Sequence, residues 1–301
     1  MAPPTLGSED LALELEKLAT ARPHLQTLVK AFGPLILEKA QWLADTAVDR
    51  PTVAIDAERL AAGIAVGQQM SLFAVGDPWG SAGWSVAKAI TEGFPAFGGD
   101  MEILLRCFTE GNYDFFGQFF AAADDDAERE FDRQARELGV TPMSLHFFLR
   151  SLHRYMLAKK ARDLKPLLEG LSWKKGYCPI CAALPCVAII GENGQRSLHC
   201  ADCGHSWPFP RLTCPSCEYE DPQNSNLLFI DECKEEAAFF CEKCHGYLLT
   251  ATRSAHIAPF HPDLVALGMV HLDLIMQEKG YAPMARSEWN GFDKAGEAAQ
   301  D

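Results

Sequence analysis

No stretch of the sequence approaches the roughly 18 uninterrupted apolar residues that a membrane-spanning helix needs. A basic excess is also missing. Against 27 Lys and Arg stand 41 Asp and Glu, a net charge of −14, which disfavours nonspecific binding to nucleic acid or to an anionic membrane. The N-terminus, MAPPTLGSEDLALELEKL, turns acidic at once and lacks the basic-then-apolar pattern of a secretory signal. The expectation is a cytoplasmic protein with no membrane insertion. Familiar catalytic templates are absent too: there is no H-E-x-x-H, no P-loop, no Rossmann fingerprint and no G-x-S-x-G. The sequence therefore reads as a protein with no catalytic residues of its own. What remains is ordinary globular composition, 48% apolar and 23% charged over 301 residues, enough for about two domains.

Cysteine is scarce in the first 177 residues, where Cys107 stands alone, and abundant afterwards. The other ten fall between Cys178 and Cys244. Eight of them form four C-x-x-C pairs: Cys178-Pro-Ile-Cys181, Cys200-Ala-Asp-Cys203, Cys214-Pro-Ser-Cys217 and Cys241-Glu-Lys-Cys244. Two cysteines three apart on a tight turn aim both sulfurs into one concavity, and two such turns supply a tetrahedron of thiolates. Eighteen residues separate the first two pairs and 23 the last two, each enough for one hairpin. Pairing in sequence order gives each hairpin its own staple. A reducing compartment disfavours a disulfide framework, so two metal ions in two four-cysteine sites are expected. A closed four-cysteine site leaves no coordination position for substrate, so metals that only hold the fold together are an equal alternative. Cys107, Cys186 and Cys233 are left over and read as small buried side chains, with Cys186 and Cys233 as redox-sensitive alternatives. His199, His205 and His245 neighbour ligands and read as hydrogen-bond donors around the sulfurs or as surface residues.

Residues 1–170 read as a helical domain. Ser8 is expected to cap a first helix that Pro23 ends, and Gly33-Pro34 to divide two further helices. Asp56, Asp100 and Thr141 are expected caps, the last with Pro142 at the first helical position. Gly76–Gly80 reads as a loop. Phe115, Phe116, Phe119 and Phe120 form an aromatic stripe, core or else a partner groove, and Asp124–Glu130 a solvated acidic face. Eight basic residues between Arg150 and Lys175 read first as a solvated face and second as a docking patch for an acidic client. From Tyr177 the apolar runs shorten. Val187–Ile190 with Arg196–His199, and Leu227–Ile230 with Ala237–Phe240, read as hairpins. The expected units are 177–210 and 211–256, two small rubredoxin-like or zinc-ribbon β units, with one closing helix within 257–285. The fold class is α+β multidomain.

These features together resemble the formate dehydrogenase accessory protein FdhE family. The residues that carry the resemblance are the tandem Cys178–Gly204 and Cys214–His245 units behind a helical region, and the closing His271-Leu-Asp-Leu-Ile-Met-Gln-Glu-Lys-Gly280. The resemblance implies a cytoplasmic, non-enzymatic protein needed for active formate dehydrogenase, which binds the catalytic subunit during maturation, before export. It also implies rubredoxin-type iron as an alternative to zinc at all eight motif cysteines.

Two other readings compete. Two linked four-cysteine sites suit a rubredoxin-like electron carrier. A nucleic-acid-binding zinc ribbon is disfavoured by charge: Tyr177–Thr250 holds ten acidic and four basic residues, whereas a ribbon that gripped phosphate would need the opposite sign.

Overall fold

The computed structural model describes residues 7–49, 53–74, 76–109, 126–220, 226–230, 233–252 and 261–291. The aromatic stripe Phe115–Phe120 lies outside them, as do the side chains of the acidic run Asp124–Glu130. The chain divides into two compact units, one made of Ala12–Val48 and Phe73–Lys159, the other of Met1–Leu11, Asp49–Leu72 and Lys160–Asp301.

The N-terminal region is helical. Helices α1 (Ser8–Ala21), α2 (Gln26–Asp45), α3 (Ala57–Ala61), α4 (Val66–Gln69), α5 (Trp79–Gly93), α6 (Gly98–Thr109), α7 (Asp126–Leu138) and α8 (Pro142–Leu168) follow one another. Pro23 ends α1 as expected, opening a short 3-10 turn over Pro23–Leu25. Asp56 caps α3, its carboxylate accepting from the Glu58 and Arg59 amides at 3.0 Å each. Thr141 Oγ1 likewise accepts from the Ser144 amide at 3.2 Å at the start of α8.

Ser8 is the first residue inside α1 rather than its cap, since the Leu11 amide donates to the Gly7 carbonyl at 2.9 Å. Four further expectations fail in this region, wholly or in part, each for a packing reason. Gly33-Pro34 does not divide two helices, because α2 runs through Pro34. The proline forgoes one backbone bond, and the burial of Phe32, Leu35 and Ile36 on either side holds the turn. The Gly76–Gly80 loop stops at Pro78, since Trp79 and Gly80 already belong to α5. That helix buries Ala82, Gly83, Ser85, Ala87 and Ala89, a small-residue face that lets backbones approach closely. A Cβ on Gly93 would sit 2.0 Å from the Ala31 carbonyl oxygen. Asp100 lies inside α6 rather than capping it, and its carboxylate accepts from the Thr141 amide and hydroxyl at 3.0 and 2.9 Å. The basic stretch is a solvated face only in part: Lys165 and Lys174 are exposed, whereas Arg154 and Lys159 are buried and Arg162 lies 3.6 Å from the Asp163 carboxylate. Helix α8 is buried on several sides, so its hydrophobic stripe does not leave a clean polar side.

The C-terminal region is built on one sheet. Strands β1 (Pro185–Ile190), β2 (Arg196–Cys200), β3 (Ser206–Pro208), β4 (Asn226–Ile230), β5 (Cys233–Phe240) and β6 (Gly246–Thr252) lie in the order β3-β2-β1-β6-β5-β4, and β7 (Ala282–Pro283) pairs with β6. Both expected hairpins form: β1 and β2 pair antiparallel, as do β4 and β5. They are fused through a parallel pairing of β1 with β6, in which Val187 faces Leu249 and Ile190 faces Thr252. Instead of one closing helix there are two, α9 (Pro262–Gly268) and α10 (Val270–Glu278), interrupted at Met269. Ala266, Met269, Leu272 and Met276 pack on Cys186, Val187, Ile189, Ala238, Tyr247 and Leu249 of the sheet. The buried Tyr247 hydroxyl donates to the Asp273 carboxylate of α10, anchoring helix to strand.

Candidate metal centres

One backbone turn occurs four times and positions all eight paired cysteines. In each, the first cysteine's amide donates to the carbonyl five residues on: Cys178 to Ala183 at 2.8 Å, Cys200 to His205 at 2.9 Å, Cys214 to Tyr219 at 3.0 Å and Cys241 to Gly246 at 2.9 Å. The amide four residues on returns to the first cysteine's carbonyl, from Ala182, Gly204, Glu218 and His245 at 3.0, 3.3, 2.9 and 2.9 Å. These four residues all have left-handed backbones, with φ of 65°, 68°, 54° and 53° in that order. The sequence signals this conformation only at Gly204. At the other three positions an L-residue bears the cost, roughly 1–2 kcal/mol each.

The turns meet in sequence order. Cys178, Cys181, Cys200 and Cys203 form one cluster, and Cys214, Cys217, Cys241 and Cys244 the other, with the four sulfurs of each set all within 4.8 Å of one another. Sulfur–sulfur separations are 3.5 Å for Cys178–Cys203 and 3.3 Å for Cys181–Cys200 in the first set. They are 3.7 Å for both Cys214–Cys244 and Cys217–Cys241 in the second. The corners of a tetrahedron built on ~2.3 Å metal–sulfur bonds lie about 3.8 Å apart, so both sets fit a tetrahedral thiolate-bound ion.

The electrostatics of the thiols alone point the same way. Burial, reinforced by hydrogen bonds from the other three cysteines, pushes Cys203 well above the ordinary thiol range. Cys181 is raised as well, chiefly by its hydrogen bond with Cys178. At Cys200 burial acts upward, but hydrogen bonds from Cys178, Cys181 and Cys203 outweigh it and hold the thiol well below that range. The second set repeats the pattern. Burial drives Cys214 and Cys244 up, while amide donors at Cys244 and Lys243 overcome burial and bring Cys241 down. Cys181 and Cys203 in the first set and Cys214 and Cys244 in the second thus resist ionisation; a cation at the centre is what would favour their thiolates.

The neighbouring residues support the turns. The α4 amides of Val66 and Gly67 donate to the Pro179 and Ile180 carbonyls of the first turn, both at 2.8 Å, and Tyr177 donates its hydroxyl to the Gly63 carbonyl at 2.6 Å. No sequence pattern marked residues 63–67 as part of this site. His199 Nδ1 shares a 2.6 Å hydrogen bond with Ser206 Oγ. His205 stacks on Trp207, and its burial lowers its pKa to about 4. Cys186 is buried, its thiol donating to the His199 carbonyl at 3.6 Å. Among the described residues neither cluster includes Cys107, Cys186 or Cys233, and no helix is long and apolar enough to cross a membrane.

No protein-family model matches the chain. Among curated proteins, the "Protein FdhE homolog" of Aquifex aeolicus is 30% identical over 156 residues, which is 50% of this chain and 54% of that protein. That of Haemophilus ducreyi is 32% identical, covering 51% and 49%. "Protein FdhE" of Escherichia coli K12 is 32% identical, covering 41% and 40%. The chain thus matches about half the length, or less, of these curated relatives. The crystal structure of the FdhE protein from Pseudomonas aeruginosa superposes with a TM-score of 0.57 at 19% identity, covering 95% of this chain and 96% of that one. The chain is therefore a homologue of proteins named FdhE along about half its length, and it has the fold of an FdhE protein along nearly all of it.

Proposed function

We propose that this protein is a non-catalytic accessory factor for formate dehydrogenase, which engages the enzyme's catalytic subunit in the cytoplasm before export. In this reading each four-cysteine cluster holds one ion, iron or zinc. Cys178, Cys181, Cys200 and Cys203 bind the first, and Cys214, Cys217, Cys241 and Cys244 the second. The observation that carries the reading is the pair of closed four-sulfur sets on a fold shared with an FdhE protein. Four thiolates fill a tetrahedral shell and leave no position for substrate. A bound ion supplies folding free energy, on the order of 10 kcal/mol per site for structural zinc, and as iron it could also carry an electron. Residues 1–170 then act as the helical module, 177–210 and 211–256 as the metal units, and 257–285 as the closing helical segment.

Formate oxidation in cells lacking this protein, complemented with variants, tests the proposal. The unaltered chain should restore activity and co-purify with the catalytic subunit. The Cys178→Ser/Cys181→Ser variant should restore little, because serine is a poor ligand for a soft metal site. Cys186→Ser, outside both sets, should behave like the unaltered chain. Equal formate oxidation with and without the protein would contradict the accessory reading.

A second reading, electron transfer, has its own support: Cys181 in the first cluster, and Cys217 and Cys244 in the second, are partly exposed. An ion ligated by such sulfurs lies within reach of a docked redox partner. Reversible bleaching of a visible thiolate-to-iron band on reduction would favour this reading, and a spectroscopically silent zinc protein would remove it.

A further inference from the structure

The strand that leads into the first cluster also supplies a buried cation to the second. Arg196 opens β2, four residues before Cys200, and is only 2% exposed. Its guanidinium lies over the rings of Phe209 and Phe239, 5.3 and 5.4 Å from their centroids. Nη2 donates to the Pro210 carbonyl and, at 2.6 Å, to the Thr213 carbonyl. Thr213 is the residue immediately before Cys214. Among the described residues no carboxylate pairs with Arg196, and its buried Nε has no hydrogen-bond partner. Burial works against the charge, lowering the guanidinium pKa to about 10; Cys214 works for it, and Arg211 adds a second cation nearby.

A buried guanidinium with neutral carbonyls as its only hydrogen-bond acceptors is costly unless an anion compensates it. Four thiolates around a divalent ion carry a net charge of −2, and Cys214 directly follows Thr213, whose carbonyl this guanidinium holds. We propose that Arg196 is a positioning residue for the second metal centre. Its charge offsets the four-thiolate anion, and its hydrogen bond to Thr213 fixes the turn that presents Cys214. The second centre is thus completed by a residue of the first hairpin. This inference rests on the proposal that the clusters bind metal.

Full-length protein loaded with Zn2+, challenged with a graded chelator and then alkylated, tests it. Peptide mass mapping reads the two cysteine sets separately. In Arg196→Met the second set, Cys214, Cys217, Cys241 and Cys244, should lose protection at roughly 10–100-fold lower chelator. The first set should keep its original midpoint, which also shows that the variant is folded. Arg196→Lys, which keeps the charge, should lie closer to the unaltered protein than Arg196→Met does. Unchanged protection of the second set, equal loss at both sets, or a lysine variant as weak as the methionine one would overturn the assignment. Failure of the unaltered protein to protect either set would instead overturn the metal-binding proposal on which it rests.

Discussion

The two cysteine clusters are built from the same turn but sheltered differently. In the first, three of four cysteines are buried, and α4 donates two amides to the turn that carries Cys178 and Cys181. In the second, two of four are partly exposed, and the Cys214 turn is held from outside by Arg196 and by close contact with the first turn's lead-in. The contrast separates two roles. Local backbone geometry sets where the sulfurs point, and the surroundings set how readily water and competing ligands reach them.

The largest expected effect follows from removing the ions. Chelation should release metal from the partly exposed second cluster first and then from the first. Because β1 and β6 pair directly, loss of both should melt the shared sheet at a cost on the order of 10 kcal/mol per site. The helical unit has its own core, including Phe32, Leu104, Phe148 and Leu152, and should keep its far-ultraviolet signal. Circular dichroism followed during chelation, alongside the alkylation map, reads both events. Simultaneous release from the two sets would break the comparison.

A smaller effect is expected where the clusters touch. A Cβ at Gly176 would lie 2.0 Å from the Pro215 carbonyl oxygen, a backbone atom that cannot step aside alone. Gly176→Ala should cost about 3 kcal/mol, seen as a lower denaturant midpoint, and should loosen the second cluster more than the first.

Comparing the clusters at low pH requires the acid response of the rest of the chain. His153 packs edge-on against Phe73 at 5.6 Å, and burial, with the Arg150 charge, lowers its pKa to about 4. The unfolded chain takes up this proton near the ordinary value of about 6.5. Stability from neutral His153 is therefore complete above about pH 6.5 and falls as pH drops towards 4. The loss should reach about 2 kcal/mol at pH 5. His153→Phe should flatten that slope in denaturant titrations between pH 7 and pH 4.5 and leave the metal content unchanged.

The smallest effect tests the turn itself. Ala182 adopts a φ of 65°, so Ala182→Gly should stabilise the first turn by somewhat under about 1 kcal/mol. Glu218→Gly should gain less, because it forfeits the 2.9 Å ion pair with Lys175. Thermal midpoints of the two variants check the order.

Local features of the fold were legible in the sequence, and non-local ones were not. The four turns, both hairpins, and the caps at Asp56 and Thr141 each depend on residues within a few positions of one another. The sorting of the eight cysteines into two sets followed from hairpin-length spacing. The β1–β6 pairing joins residues about 60 apart with no local signature, so the joining of the two hairpins into one sheet was not legible. Pro34 inside α2 and the small-residue face of α5 went unread because tertiary packing overrides local propensity. Asp100 has the chemistry of a cap but finds its acceptor role at Thr141. Arg196 shows only as a basic residue in an acidic region; its role comes from Phe209, Phe239 and Thr213 arriving around it. Residues 63–67 carry no metal-site pattern, since they contribute backbone groups alone.

The most direct test of the account is metal stoichiometry by native mass spectrometry on full-length protein purified without oxygen. The account predicts two ions per chain, one in Cys178→Ser/Cys181→Ser, one in Cys214→Ser/Cys217→Ser, and none when all four are replaced. A chain that holds a single ion, or one that keeps both ions after either pair is replaced, would contradict it.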